Sequence, residues 1–136
     1  MAKLFTTGPV ENGVSNPALS VMVKVLNNSS TNNLTATITL YSIDGSKSEV
    51  SRETLTVSPL SADFKSFEVD LLREYEVQIQ VDREEAALVS VWGLDADANL
   101  IAAQRFASSE LKDYYMPFAK IRKINFSRSK KKKKGR

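Results

Sequence analysis

The densest chemistry in this chain is electrostatic. Lys120, Arg122, Lys123, Arg128, Lys130, Lys131, Lys132, Lys133, Lys134 and Arg136 put ten positive charges into residues 118–136, with no acid among them. All sixteen acids lie at or before Asp113, so residues 1–117 hold nine basic and sixteen acidic side chains, net −7. Such a split predicts that the tail seeks an anionic surface: nucleic acid, another anionic polymer, or the acidic body of a second copy. Lys130–Lys134 and Arg136 offer charge with little fixed geometry, so they would bind without sequence choice. No aromatic residue is interleaved there, and base stacking is not expected. The alternative is a tail that only solubilises.

The remaining candidates are weaker. The chain has no histidine and no cysteine. That removes Ser-His-Asp and Cys-His catalysis, disulfides and the common zinc sites. Asp95-Ala96-Asp97-Ala98-Asn99 begins like a calcium loop, with oxygens at alternate positions. Its sixth position is Leu100 where glycine is required, and its twelfth is Phe106 where glutamate is required. A hairpin turn is expected there, and no metal. Trp92 could stack on a sugar, but it shares a face with Leu88 and Leu94, which favours core packing. Tyr114-Tyr115 either closes the fold or meets a partner. Glu74, Glu76 and Glu84-Glu85 fall on a polar face or a turn without an implied pocket, so no enzyme and no cofactor are expected. Asn27, Asn28, Asn33 and Asn125 open Asn-x-Ser/Thr triplets and read as turn residues.

The elements that must position these residues are strands. Leu19, Val21, Val23 and Val25 alternate with Ser20, Met22, Lys24 and Leu26. Leu34, Ala36, Ile38 and Leu40 alternate with threonines and Tyr41, and Asp44-Gly45 marks a hairpin. A third strand near 49–57 stops at Ser58-Pro59. A fourth puts Phe67, Val69 and Leu71 on one face. Tyr75, Val77, Ile79 and Val81 oppose Glu76, Gln78, Gln80 and Asp82. Two more run over 87–94 and 100–106, the first apolar on both faces and therefore central or covered. A period of two with regular turns predicts an all-β fold: one antiparallel β-sandwich, jelly-roll-like, of about seven to eight strands. Residues 107–117 could add a short strand or one helical turn.

Three segments follow: an arm over 1–17, a sandwich over 18–117, and a basic segment over 118–136. Gly8, Pro9, Gly13 and Pro17 break the first into an arm. Leu4 and Phe5 in that arm, and Ile121, Ile124 and Phe126 near the other end, are apolar enough to add to a neighbour's sheet edge. The N-terminus lacks the apolar core of a secretory signal, and no apolar run approaches the roughly 20 residues of a membrane span.

Val23–Ser30, Tyr75–Val81, Ala87–Ala96 and the trailing Ser109-Glu110-Leu111 resemble small β-sandwich proteins of spore-forming Gram-positive bacteria. The endospore-appendage fibre subunits are the nearest architecture. The resemblance covers about residues 18–111. It implies a structural, self-assembling protein, a homo-oligomer in a helical filament at an extracellular, spore or cell surface. Subunits of that type link their arms through cysteines, and this chain has none. Two further readings stay open: a capsid-like nucleic-acid-packaging protein with a basic arm, and a polysaccharide-binding module using Trp92 or Tyr114-Tyr115.

Overall fold

The structure is a computed structural model describing residues 2–13 and 17–115. Ten strands build two packed antiparallel sheets. They are β1 (Lys3–Thr6), β2 (Val10–Glu11), β3 (Ser20–Asn27), β4 (Leu34–Ile43) and β5 (Lys47–Val57). Then come β6 (Ser61–Glu68), β7 (Glu74–Val81), β8 (Ala87–Leu94), β9 (Leu100–Phe106) and β10 (Lys112–Tyr115). Sheet A runs β10-β1-β7-β4-β5, with β2 also on β7, and sheet B runs β6-β3-β8-β9. The chain is an all-β sandwich. Short 3-10 turns over Glu84–Ala86 and Ser108–Glu110 lead into β8 and β10.

The core sits between the sheets and follows the alternation. Val21, Val23 and Val25 of β3 and Val89 and Val91 of β8 face Ile38, Leu40, Val77 and Ile79 of sheet A, all buried. Each such side chain contributes roughly 1.5–3 kcal/mol by leaving water. β-branched side chains suit the pleated surface because their restricted rotamers cost little there. Register is fixed on both sides of the central strands: Ile38 opposes Ile79, and Val23 opposes Val91.

The N-terminal segment departs from its expected form. Residues 3–6 are not a free arm. β1 lies inside sheet A, with Phe5 opposite Ile79 on one side and Asp113 on the other. Phe5 is buried in the core. β2 continues along the same edge of β7, with Val10 opposite Tyr75. Gly8 makes the break between them, and its φ of 66° is open to glycine at little cost. The breaks at Gly8 and Pro9 therefore bend one long strand instead of ending the fold.

A second difference concerns β6. It ends at Glu68; Val69 is buried, but Leu71 sits in the turn beyond and is 88% exposed. Between β9 and β10 both expected elements occur, a helical turn and then a strand. Among the described residues no helix is long and apolar enough to cross a membrane.

Candidate functional site

Three polar or apolar features stand out once the sheets are placed: a buried network at one end of the sandwich, and the outer face of each sheet. The network centres on Asn12. Its amide donates to the carbonyls of Ala18, Val69 and Leu72, each at 3.1 Å, and its Oδ1 accepts from the Ala18 N–H at 2.7 Å. Gln104 Nε2 also donates to that oxygen at 2.9 Å, and Tyr75 donates its hydroxyl to Gln104 Oε1 at 2.6 Å. Burial pushes the Tyr75 hydroxyl pKa up, so it stays a donor. Every member is satisfied, which makes the network a rigid tie between two loops and both sheets. Gly93 belongs to it, because a Cβ there would meet Gln104 at 2.8 Å.

On the outer face of sheet A, the even residues of β7 point away from the core. Glu76 is nevertheless buried. Its Oε2 accepts from Thr6 Oγ1 of β1 and from Gln78 Nε2, the latter at 3.1 Å, and its Oε1 pairs with Lys47 at 2.8 Å. Lys47 Nζ lies 4.4 Å from the centroid of the Tyr41 ring. Burial alone would raise the Glu76 carboxyl. The bonds from Lys47, Thr6 and Gln78 outweigh it and hold the group below its ordinary value. Lys47 crosses over the β4–β5 hairpin, so the web spans β1, β7, β4 and β5. Thr37 opposes Thr54, and Thr39 opposes Gln78 and Arg52, across the rest of the face. With three donors from Thr6, Gln78 and Lys47 on one carboxylate, the arrangement ties the strands of sheet A together.

The outer face of sheet B is built differently. With Val21, Val23 and Val25 inward, Met22, Lys24 and Leu26 of β3 point outward, as do Leu88, Ser90, Trp92 and Leu94 of β8 and Phe64 of β6. Leu26 opposes Ala62 and Leu88, Lys24 opposes Phe64, and Met22 opposes Trp92. Phe64 is 50% and Leu88 48% exposed. Leu60, in the turn before β6, is 65% exposed and holds a φ of 54°, a strained position for a branched residue. Trp92 is half-buried; its Nε1 donates to Ser90 Oγ at 2.8 Å, and the Arg105 guanidinium lies 5.7 Å from the ring centroid. These residues put apolar side chains, interrupted by Lys24, Ser66 and Ser90, on a face open to water, and exposed apolar surface of this kind marks contact sites.

The sequence candidates divide accordingly. Phe5 is in the core and Leu4 on the outer face of sheet A opposite Tyr114 and Gln80, so neither is available as an arm in this chain. Trp92 is not in the core: both parities of β8 are apolar, and the inward one belongs to Val89 and Val91. Tyr114 and Tyr115 lie in β10 against β1, with Lys3 Nζ 5.2 Å from the Tyr115 ring centroid and paired to Glu84 and Asp113 at 3.3 Å. Asp95–Asn99 is a hairpin turn, and Asp95 Oδ1 accepts the N–H groups of Asp97 and Asn99. Among the described residues no group of three or more acidic side chains is arranged to hold a metal ion. Ile121, Ile124, Phe126, Lys130–Lys134 and Arg136 lie outside the described residues. Sequence reasoning missed the Asn12–Gln104–Tyr75 network and the held Glu76, whose partners are far away in the chain. It also missed Leu26 and Phe64 as a shared surface. Their signal was apolar residues on the wet parity of two strands.

No family model and no curated protein matches the chain. Among solved structures it is similar to the Anabaena sensory rhodopsin transducer, at 17% identity and a TM-score of 0.40 over 63% of this chain and 89% of that one. It is also similar to Thermotoga maritima 1070, at 11% identity and a TM-score of 0.46 over 83% of this chain and 93% of that one. Likeness at this level carries no argument about function.

Proposed function

We propose that the chain is a structural, self-associating β-sandwich, and that the outer face of sheet B is its contact surface. The supporting observation is the exposed apolar pair Leu26 and Leu88, with Phe64 one row along opposite Lys24, and Trp92 and Leu60 nearby. Leu26 lies directly opposite Leu88 and Phe64 lies diagonal to Leu26, within reach for long side chains, and water leaves such a group at a gain. The partner is a second copy. If the contact uses different surfaces on the two copies it does not close, and a filament follows. Such a fibre would suit a spore or cell surface. The test is sedimentation velocity and negative-stain microscopy of nuclease-treated protein, comparing the parent with Phe64→Ser/Leu88→Thr. The parent is expected to multimerise and the double variant to sediment as a folded monomer. An unchanged multimer in the double variant would overturn the surface, and a monomeric parent would overturn the function.

A second reading rests on the charge split. The ten basic residues of 118–136 favour an anionic polymer, nucleic acid included, bound by counter-ion release. Truncation after Ser127 then abolishes DNA binding and spares contacts between copies. Purified parent free of nucleic acid and unable to retard DNA would remove this reading.

A further inference from the structure

We infer that Asn12-Gly13 is a covalent modification site: the Asn12 amide converts to a carboxylate when this end of the sandwich opens, and the product does not fit back. The inference does not depend on self-association.

Asparagine followed by glycine is the pair most open to this chemistry, because glycine has no side chain to shield its own backbone nitrogen. Asn12-Gly13 is the only such pair in the chain. The Gly13 nitrogen gives its proton to hydroxide and attacks Cγ of Asn12. A C–N bond forms, the Cγ–Nδ2 bond breaks, and Nδ2 takes a proton from water and leaves as ammonia, which restores the hydroxide. Water then opens the cyclic imide. Opening at Cγ gives aspartate. Opening at the main-chain carbonyl gives isoaspartate, with the side-chain carbon now part of the backbone.

The fold does not explain the glycine. Gly13 takes no left-handed φ, unlike Gly8 and Gly45. An added Cβ would come nearest to Glu11 Oε2, at 3.2 Å, which is the far end of a flexible side chain. What glycine supplies at this position is an unshielded nitrogen beside the hub of the buried network.

In the folded chain the reaction is held off at Asn12, which is buried. Its Nδ2 donates to the carbonyls of Ala18, Val69 and Leu72, and its Oδ1 accepts from the Ala18 N–H and from Gln104. Attack makes Cγ tetrahedral, and that shape cannot keep a planar amide's set of bonds. The Asn12 N–H is also fixed, by the Arg73 carbonyl at 2.7 Å. Conversion therefore runs at the open-state rate multiplied by the fraction of time this end is open.

After conversion the same partners work against the fold. A carboxylate only accepts. The oxygen that replaces Nδ2 faces three carbonyl acceptors in a buried site, which is strongly unfavourable for a charge. Isoaspartate adds a displaced main chain directly after β2. A molecule that opens and converts is kept open, so the site makes a one-way record of opening.

The test follows the Asn12 peptide by mass spectrometry while the full chain is held at alkaline pH, in buffer and in urea that unfolds it. Conversion at least tenfold faster in urea is expected. Gly13→Ala in the same urea is expected to convert at least tenfold more slowly than the parent, which assigns the attack to the nitrogen of residue 13. The urea is then removed, and folded and unfolded chains are separated by size. Asn12 is expected throughout the folded fraction, with aspartate and isoaspartate confined to the other. Equal rates in buffer and urea, or no conversion in urea, would overturn the inference. So would Gly13→Ala converting as fast as the parent. Converted chains that refold and melt with the parent would show that the product fits, and would overturn the one-way step.

Discussion

The two sheets share one core but finish their outer faces in opposite ways. Sheet A turns threonines and glutamines outward and secures its one buried carboxylate with Lys47, Thr6 and Gln78. Sheet B turns Met22, Leu26, Phe64, Leu88 and Trp92 outward. Alternation says which parity faces the core, and both sheets obey it. Residue type on the other parity says whether water is the intended neighbour. Sheet A also draws in β1 and β10 from near the ends of the described chain, whereas sheet B uses only strands between Ser20 and Phe106.

The strongest way to break this contrast is to remove residues 2–12. That deletes β1, β2 and Asn12, leaves β7 paired only with β4, and removes the Asn12 donor from the carbonyls of Ala18 and Leu72. Unsatisfied buried groups cost about 1–3 kcal/mol each, against a typical total of about 5–15 kcal/mol. Loss of the cooperative thermal transition by circular dichroism is expected. A β-rich, cooperatively melting product would show that β1 is dispensable.

Next is Glu76→Ala, which leaves Lys47, Thr6 and Gln78 without their acceptor. Because Lys47 is 44% exposed, water repairs part of the loss, and about 1–3 kcal/mol is expected by urea denaturation. No change would mean that the outer web of sheet A is decorative.

The same carboxyl sharpens the contrast through pH. Its folded pKa lies below the unfolded value, so its stabilisation is complete above the unfolded pKa of about 4.3 and is lost as pH falls through the folded one. Glu76→Gln should show a shallower loss of stability below about pH 4 than the parent. Parallel pH profiles would contradict the assignment.

The smallest effect on folding is expected on sheet B. Phe64→Ser alters an exposed side chain, so monomer stability should shift by no more than about 0.5 kcal/mol while association weakens. A loss of several kcal/mol measured in dilute monomer would mean that Phe64 serves the fold instead of a partner.

Local pattern made most of the sandwich readable. β3, β4 and β7 carry strict alternation, and their inward residues are those the period selects. Asp44-Gly45 marked the β4–β5 hairpin, where Gly45 takes a φ of 76°. β1 was hidden because it has one inward apolar anchor, Phe5, and its partners are β7 and β10, which no local window contains. β6 was misplaced because Phe67, Val69 and Leu71 keep the period past the last paired residue, Glu68. Trp92 was misjudged because apolar residues on both parities of β8 leave volume as the only guide, and its register with Val89 and Val91 decides otherwise. Glu76 looked like any exposed glutamate, since the threonine and lysine that hold it come from other strands.

The position of β1 also sets an order of events during synthesis. Phe5 is made well before either of its cross-strand neighbours, Ile79 and Asp113. β3 and β6 can pair, and β8 and β9 can join them, before Asp113 has been made. The nascent chain therefore carries β1 without a partner until β7 has been made, and with one side open until β10 follows. Pairings so distant are slow to form. β10, the last of the described strands, docks onto β1, so sheet A is completed by the meeting of the earliest and latest strands among the described residues.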